Sequence, residues 1–463
     1  MESIDLAILA QLQAYQHCHR WIIAYSGGID STVLLYSLVS ANQRLQSPKP
    51  IIALHINHQL SEFADQWQQH CQQTAQSLNI DYFSQKADVF SKGKGVEAAA
   101  RDIRYQVFEQ YLQPGDCLLM GQHRNDQAET LLFRLLRGAG VKGLAAMPIS
   151  RPLGKAMLLR PFLDTRREDI ECYAREHQLQ WVDDDSNVNE RYDRNYLRHQ
   201  VLPVLKQRWP GVEGQLSATA VRMREADQLL EQLAQSDLQQ LNVQMARCGS
   251  SLDLGQLVTL ISPEASLLNQ GLSDARVNNL LRYWCFSMGY PLPQSEHLEH
   301  IKSQFLNGNH LASSACVSWK QTECRQFGGR LYLMSTLPKF TEPNSVLKWN
   351  METSLSLGVA GALHWVDVDQ QDNSALRLVK RPYTIRWRQG GERCTPSHRQ
   401  RSQTVKKLLQ EYGLETWLRG RVPLIYMGTE LVAVGDLWVN KGYEAPSETT
   451  GLLWQLGASN LLG

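Results

Sequence analysis

Near the start of the chain a short apolar run meets a helix-like run through two glycines, in the order Ala24-Tyr25-Ser26-Gly27-Gly28-Ile29-Asp30-Ser31-Thr32. Before the glycines, Trp21-Ile22-Ile23-Ala24-Tyr25 has the β-branched and aromatic content of a buried strand. After them, Asp30-Ser31-Thr32-Val33-Leu34-Leu35-Tyr36-Ser37-Leu38 repeats apolar residues at helical spacing, and its first turn falls on Asp30 and Ser31. Strand, glycine turn and helix start together form an anion cradle, because unpaired backbone N–H groups and the positive end of the helix dipole face the same point. Gly27 and Gly28 let the backbone come close to the anion.

No lysine lies in this loop. A loop that transfers a γ-phosphoryl group carries Gly-Lys-Ser/Thr to hold the outer phosphates. A lysine-free Ser-Gly-Gly-Ile-Asp-Ser loop instead suits attack at the α-phosphate of ATP, with pyrophosphate held as the leaving unit and Asp30 placed to hold Mg²⁺. The stretch resembles the signature of the N-type ATP pyrophosphatases, the PP-loop superfamily. The resemblance implies that Ser26, Gly27, Gly28, Ile29, Asp30 and Ser31 bind ATP.

Residues 20–125 alternate strand-like and helix-like runs, with further strands at Ile51–Asn57 and Asp116–Gly121 and a helix over 62–78. This alternation predicts an α/β fold with a doubly wound parallel sheet, in which ligands sit at the carboxyl ends of the strands. The cradle, His55 to His58 and Gln122 to Asp126 should then share one crevice. At 463 residues the chain is long enough for two or three domains. The pattern divides it into a catalytic domain (1–213), a mainly helical middle domain (214–337), a linker (338–354) and a basic α+β C-terminal domain (355–463). The charge balance, 47 Lys+Arg against 46 Asp+Glu, requires any nucleic-acid binding to come from local patches. The nine scattered cysteines, the polar start Met1-Glu2-Ser3-Ile4-Asp5 and the lack of an apolar run of about 18 residues predict a cytoplasmic protein with no membrane partner.

Four segments carry candidate chemistry. In Gly95–Phe108 a helix places Glu97, Arg101, Arg104 and Tyr105 on one broad face, either as an ordinary ion-paired surface or as a phosphate contact. In Gly121–Leu144, His123, Asn125, Asp126, Gln127 and Glu129 crowd a strand-to-helix corner, where a carboxylate either caps the helix or holds a cation. The segment 160–205 begins with a helix capped near Asp164 or Thr165. It continues through Asp183-Asp184-Asp185 to Arg191, Arg194, Asn195 and Arg198, which lock the loop or contact phosphates. In 377–407 ten Lys/Arg, among them Lys380, Arg381, Arg386, Arg388, Arg399 and Arg401, face a single Glu392, with Tyr383 and Trp387 interleaved; this favours an RNA surface over a membrane. His17-Cys18-His19 and His55-x-x-His58 lack the partners that would complete a zinc site.

Taken together, "AYSGGIDSTVLL", "ALHINHQL", "EAAARDIRY", "GQHRNDQAETLLFRLLRGAGVKGLAAM", "WVDDDSN…RNYLRHQVLPVL" and "VKKLLQEYGLETWLRGRVPLIY" resemble the tRNA(Ile)-lysidine synthetases over most of the chain. Where the family commonly has two adjacent aspartates in the corner motif, this chain has Asn125-Asp126, which moves the carboxylate role to Asp126. The resemblance implies that the wobble cytidine of an isoleucine tRNA with a CAU anticodon is adenylated through C2 by ATP and Mg²⁺. The amine of free L-lysine then displaces AMP to give lysidine. Asp30, Arg101 and Asp126 are the implied catalytic residues. His55, His58, His123, Asn125, Glu129, Arg194, Asn195 and Arg198 face lysine or tRNA, and the chain acts as a monomer or homodimer. Two other readings use the same loop. A tRNA thiolation enzyme would call for a cysteine pair, and a non-catalytic RNA-binding protein would not need the intact cradle.

Overall fold

The computed structural model describes residues 3–59, 61–87, 96–183, 193–261, 272–306, 315–342, 346–350, 354–367, 376–379, 381–445 and 450–456, without the side chains of 3, 96–98, 261, 272 and 273. The chain forms two compact units, Met1–Leu229 and Leu230–Gly463.

The first unit runs α1 (Ser3–Ala14), β1 (Arg20–Ala24), α2 (Ile29–Gln43), β2 (Ile51–Asn57), α3 (Ala64–Ser77), β3 (Asp81–Lys86), α4 (Val96–Tyr111), β4 (Asp116–Leu119), α5 (Arg124–Leu136), α6 (Val141–Leu144), β5 (Ser150–Leu153), β6 (Ala156–Leu159) and α7 (Arg167–Glu176). Then come α8 (Asp193–Tyr196), a π-helical turn (Leu197–Val201), α9 (Leu202–Arg208) and α10 (Val212–Gln239). The strand order is β3-β2-β1-β4-β6-β5. β1 pairs in parallel with both β2 and β4, β6 is parallel to β4, and β5 closes that edge antiparallel. The order therefore reverses between β1 and β4, and the carboxyl ends of these two strands open the crevice.

Period-2 alternation in β1 separates two cores. Trp21 and Ile23 pack with α1, α2 and α7 through Ile8, Leu12, Leu34, Leu38 and Tyr173. Ile22 packs on the opposite face with Phe108 of α4, with Leu112 just beyond it and with Leu118. Each such fully buried side chain stabilises the fold by roughly 1.5–3 kcal/mol. The α7 helix starts at Arg167 with Arg166 as its N-cap and no side-chain cap, beyond the caps expected at Asp164 or Thr165.

In the second unit the expected helices are present as the later part of α10, α12 (Leu272–Ser287) and α13 (Ser295–Ile301) with its π-helical extension Lys302–Leu306, preceded by α11 (Leu254–Ile261). They pack Val277, Leu280, Trp284, Leu298 and Phe305 against a five-stranded antiparallel sheet. Its order is β7 (Gln244–Ala246), β8 (Gly249–Asp253), β11 (Arg330–Ser335), β10 (Thr322–Phe327) and β9 (Cys316–Trp319). Only β11 is evident in the sequence, because the others are short or polar. Further on lie a five-stranded sheet built on Tyr383–Arg386 and the hairpin Leu424–Met427/Glu430–Val434, and a three-stranded sheet of Ser354–Ser356, Ala362–Asp367 and Thr450–Gln455. The helix Val405–Glu411 is capped by the Thr404 hydroxyl, which accepts the Lys407 N–H at 3.4 Å. No helix among the described residues is long and apolar enough to cross a membrane.

Candidate active site

The loop after β1 has the geometry of an open cradle. Gly27 sits at φ +86°, and a Cβ there would come within 2.8 Å of Cys71 Sγ and 2.9 Å of Val182 Cγ2, so glycine is required twice over. The Gly27 carbonyl accepts the Val182 N–H at 3.0 Å and the Thr32 hydroxyl at 3.2 Å, fixing the turn. Ser31 Oγ donates to the Gly28 carbonyl (2.9 Å) and lies 3.1 Å from Ser26 Oγ. Gly28 is the N-cap of α2 and supplies no side-chain cap. The first N–H groups of α2, at Ile29, Asp30 and Ser31, thus keep the positive helix end available to an anion.

The loop after β4 lies directly against this cradle. A Cβ on Gly121 would sit 3.0 Å from the Asp30 carbonyl oxygen, so the two backbones touch. His123, the N-cap of α5, places Nε2 3.7 Å from Asp30 Oδ2 and 3.6 Å from Asp126 Oδ2. Asp126 Oδ2 also accepts the His123 N–H at 2.9 Å. Its Oδ1 accepts from Arg194 Nη2 (2.8 Å) and Arg198 Nη2 (3.1 Å). Glu129, one turn further along α5 and 1 % exposed, accepts from Arg194 Nε (2.8 Å) and Arg198 Nε (2.6 Å). Arg194 and Arg198 are four residues apart across the α8–π-turn junction and project to the same side. Two carboxylates and two guanidiniums form a charge-balanced network of forked hydrogen bonds. Asp126 is therefore occupied by arginine as well as capping its own helix. Burial alone would raise its carboxyl, but His123, Arg194 and Arg198 hold it below the usual aspartate value.

Asp30 has the opposite electrostatic setting. Burial raises its carboxyl above the ordinary value, and His123 and Arg167, whose Nη1 is 3.8 Å from Oδ2, offset this only in part. Asp30 Oδ1 is buried with no hydrogen-bond partner. An orphaned carboxylate oxygen at an anion cradle fits a hard divalent cation, which binds through one or two carboxylates plus substrate phosphates. Among the described residues no three His, Cys, Asp or Glu side chains gather as a metal cluster. Beside this point a cavity of about 380 Å³ is lined by His123, Asn125, Glu129, Arg167, Arg198, His199, Leu202 and Glu213. Asn125 donates to Glu213 (2.7 Å), which pairs through its other oxygen with Lys206 (3.2 Å).

The chain matches the PP-loop domain over residues 1–205, the TilS substrate binding domain over 270–332 and the TilS substrate C-terminal domain over 383–456. It is 41% identical to a tRNA(Ile)-lysidine synthase of Coxiella burnetii over 432 residues, 93% of this chain and 91% of the relative. It is 38% identical to one of Pseudomonas fluorescens over 94% of this chain and 93% of the relative. The chain belongs to the tRNA(Ile)-lysidine synthase family. A solved structure, the U34-tRNA thiolase NcsA from Methanococcus maripaludis with its 4Fe–4S cluster, aligns at TM-score 0.40 and 16% identity, over 48% of this chain and 78% of that one. That likeness is too loose to carry a conclusion.

Other residues singled out in this member of the lysidine synthase family fall into three groups. His55 is buried in β2, its Nδ1 2.9 Å from the Tyr25 carbonyl oxygen, and burial lowers its basicity; His58 follows the same strand, half-buried. Asn195 is half-buried on α8 beside Arg194. Arg101 is exposed on α4, its guanidinium carbon 5.2 Å from the Tyr105 ring centre. Lys380, Asp184, Asp185, Arg191 and the Glu97 side chain lie outside the described residues.

In the basic segment, strand alternation accounts for the interleaved aromatics. Tyr383, Ile385 and Trp387 point into the core, whereas Thr384, Arg386 and Arg388 face away from it, so the two rings are core and not base-stacking platforms. Arg386 lies 4.7 Å from the Tyr426 ring centre, Arg399 pairs with Glu411 at 2.6 Å, and Arg381 and Arg401 are exposed. Sequence reasoning missed Arg167, Arg160, His199, Lys206 and Glu213, which no motif marked. The first three fall within the segment 160–205, where the sequence alone gave them no role.

Proposed function

We propose that this chain is a tRNA(Ile)-lysidine synthetase, a ligase that forms a carbon–nitrogen bond. The wobble cytidine of an isoleucine tRNA enters the β1/β4 crevice, its C2 oxygen attacks the α-phosphate of ATP, and pyrophosphate leaves into the Ser26–Ser31 cradle. L-lysine then attacks C2 through its amine and expels AMP. The cradle holds the leaving anion through backbone N–H groups and the α2 dipole, which cost no reorganisation during reaction. Asp30, with its orphaned oxygen, would hold Mg²⁺, which screens the charge of the leaving phosphates when bound. Arg101 is assigned to a phosphate. Asp126 and Glu129, fixed by Arg194 and Arg198, set the wall against which the lysine lies.

The single observation that supports this most directly is the contact between the two loops, with His123 within 4 Å of both Asp30 and Asp126, since it joins an anion cradle to an acid-and-base-lined cavity. That cavity presents Arg167 and Arg198 together with Glu129 and Glu213, a mixture suited to a zwitterionic amino acid. The three-domain division, the RNA role of Arg381, Arg386, Arg388, Arg399 and Arg401, and a monomeric or homodimeric state belong to the same proposal. Incubation with ATP, radiolabelled lysine and total tRNA tests it: label should enter RNA, with one AMP and one pyrophosphate released per lysine. Pyrophosphate release with no label in RNA would refute the lysine step.

A further inference from the structure

Arg101, Arg151 and Arg160 converge on Tyr105, Arg134 adjoins Arg101, and among the described residues the four share no acid. Arg101 and Arg151 place their guanidinium carbons 5.2 and 5.1 Å from the Tyr105 ring centre. Arg160, 2 % exposed, adjoins the Tyr105 hydroxyl and donates from Nε to Gln122 at 3.1 Å, at the carboxyl end of β4. Arg134 stands close enough to Arg101 for the two charges to repel, and its own donors go to the Gly143 and Ala146 carbonyls. The hydrogen bonds made by Arg134, Arg151 and Arg160 end on neutral oxygens, and among the described residues none of the four has a carboxylate within ion-pair distance. In the same unit Arg20 pairs with Asp116 and Arg194 with Glu129, whereas half-buried Arg224 also donates to carbonyls, those of Ala145 and Met147. The uncompensated charge is also felt by the tyrosine. Burial would raise its phenol, yet Arg101, Arg151 and Arg160 hold it below the ordinary value. One aromatic quadrupole offsets only part of such repulsion.

We infer that Arg101, Arg151 and Arg160, gathered around Tyr105, together with the neighbouring Arg134, form a binding site for a phosphodiester of the RNA substrate on the α4 side of the crevice. This rests on the RNA reading given above. α4 covers the sheet face opposite to the one covered by α2, so the cluster and the Ser26–Ser31 cradle approach the crevice from different sides. ATP phosphates held by the α2 dipole leave the cluster's charge unused. An RNA strand whose base is turned into the crevice must bring its flanking phosphates to the rim, where they position the chain without being read as sequence.

The discriminating variants are Arg151→Gln and Arg151→Lys, because Arg151 is half-exposed and its backbone contact is the carbonyl of the neighbouring Pro152. Filter binding of tRNA by the full-length protein across a salt series is compared with the KM for ATP at saturating tRNA and with thermal melts. Arg151→Gln should weaken tRNA binding about fivefold or more and flatten the log–log salt slope by roughly 0.7–0.9. Arg151→Lys should restore most of both, and the KM for ATP and the Tm should hold. A raised KM for ATP with unchanged tRNA affinity would assign the cluster to nucleotide phosphates and overturn the inference. No change in either quantity would overturn it as well. Wild-type tRNA binding and lysine incorporation, measured in parallel, separate failure of this site from failure of the functional reading: tRNA bound without lysine incorporation leaves the site testable.

Discussion

Asp30 Oδ2 stands 3.7 Å from His123 Nε2, the point at which the loops after β1 and β4 meet. The acid is held above its ordinary value by burial, with His123 and Arg167 opposing. A carboxyl raised in the folded state contributes stability below its unfolded value, and that contribution is lost as pH rises through the folded value. At neutral pH ionised Asp30 therefore costs stability. Asp30→Asn should keep or raise the Tm at pH 7, with a smaller difference near pH 4, while pyrophosphate release falls to background. A lowered Tm at pH 7 with activity retained would contradict both the electrostatic reading and the catalytic assignment.

Asp126 behaves in the opposite sense. Its depressed value means stability present above the unfolded value and lost only as pH falls through the folded one, so its network should persist through mild acid. Arg198→Ala leaves Glu129 leaning on Arg194, and Asp126 on Arg194 and His123. Removing one partner of a buried pair costs about 3–5 kcal/mol, and since Arg198 is partly exposed the lower end applies. Chemical denaturation should show that loss. Arg198→Lys should recover only part of it, because an ammonium cannot reproduce the forked contact.

Arg101 tests function against structure most cleanly. It is exposed, and it sits over the Tyr105 ring. Arg101→Ala should cut turnover tenfold or more while stability changes by about 1 kcal/mol at most. Equal loss of both, seen in paired melts and assays, would make it an ordinary surface arginine.

The C-terminal basic face is best tested by substitution. Truncation near residue 340 would cut through the second unit, where Arg247 pairs with Asp436 at 2.9 Å, Trp417 donates to Cys248 at 3.4 Å and Arg421 reaches the Pro338 carbonyl. Replacing Arg381, Arg388 and Arg401 by Gln should reduce tRNA affinity and flatten the salt slope by roughly 0.7–0.9 for each phosphate left without its cation. The KM for ATP should not move. Binding that keeps its full salt slope would leave these residues as a solvated face.

How far the sequence carries the structure depends on the range of the interactions involved. The Trp21–Leu38 stretch already specified strand, turn and helix, because apolar periodicity and glycine placement act locally, and β2, β4, α3 and α4 were evident for the same reason. The crevice followed from topology alone. The partners of Asp126 did not: its cations come from positions 68 and 72 residues later, and no local pattern encodes such a pairing. The strands β7 to β10 escaped because short antiparallel strands with polar edges lack a strong period. Tyr383 and Trp387 looked like part of an RNA surface because alternation along one strand sets inward aromatics and outward arginines side by side in the sequence.

The span between Asp126 or Glu129 and their arginines also fixes an order of events during synthesis. A ribosome completes the nucleotide cradle, the β4 loop and both acids some 65 residues before it reaches Arg194. Until then the nascent domain holds two carboxylates facing its interior without their guanidinium partners, with only His123 beside Asp126, a condition that opposes closure of the site. The α8–π-turn segment therefore acts as a late clasp. A chain released short of it has the residues for gripping pyrophosphate but lacks the wall that would receive the amino acid, so an interrupted product is poorly placed to consume ATP on RNA it cannot finish modifying.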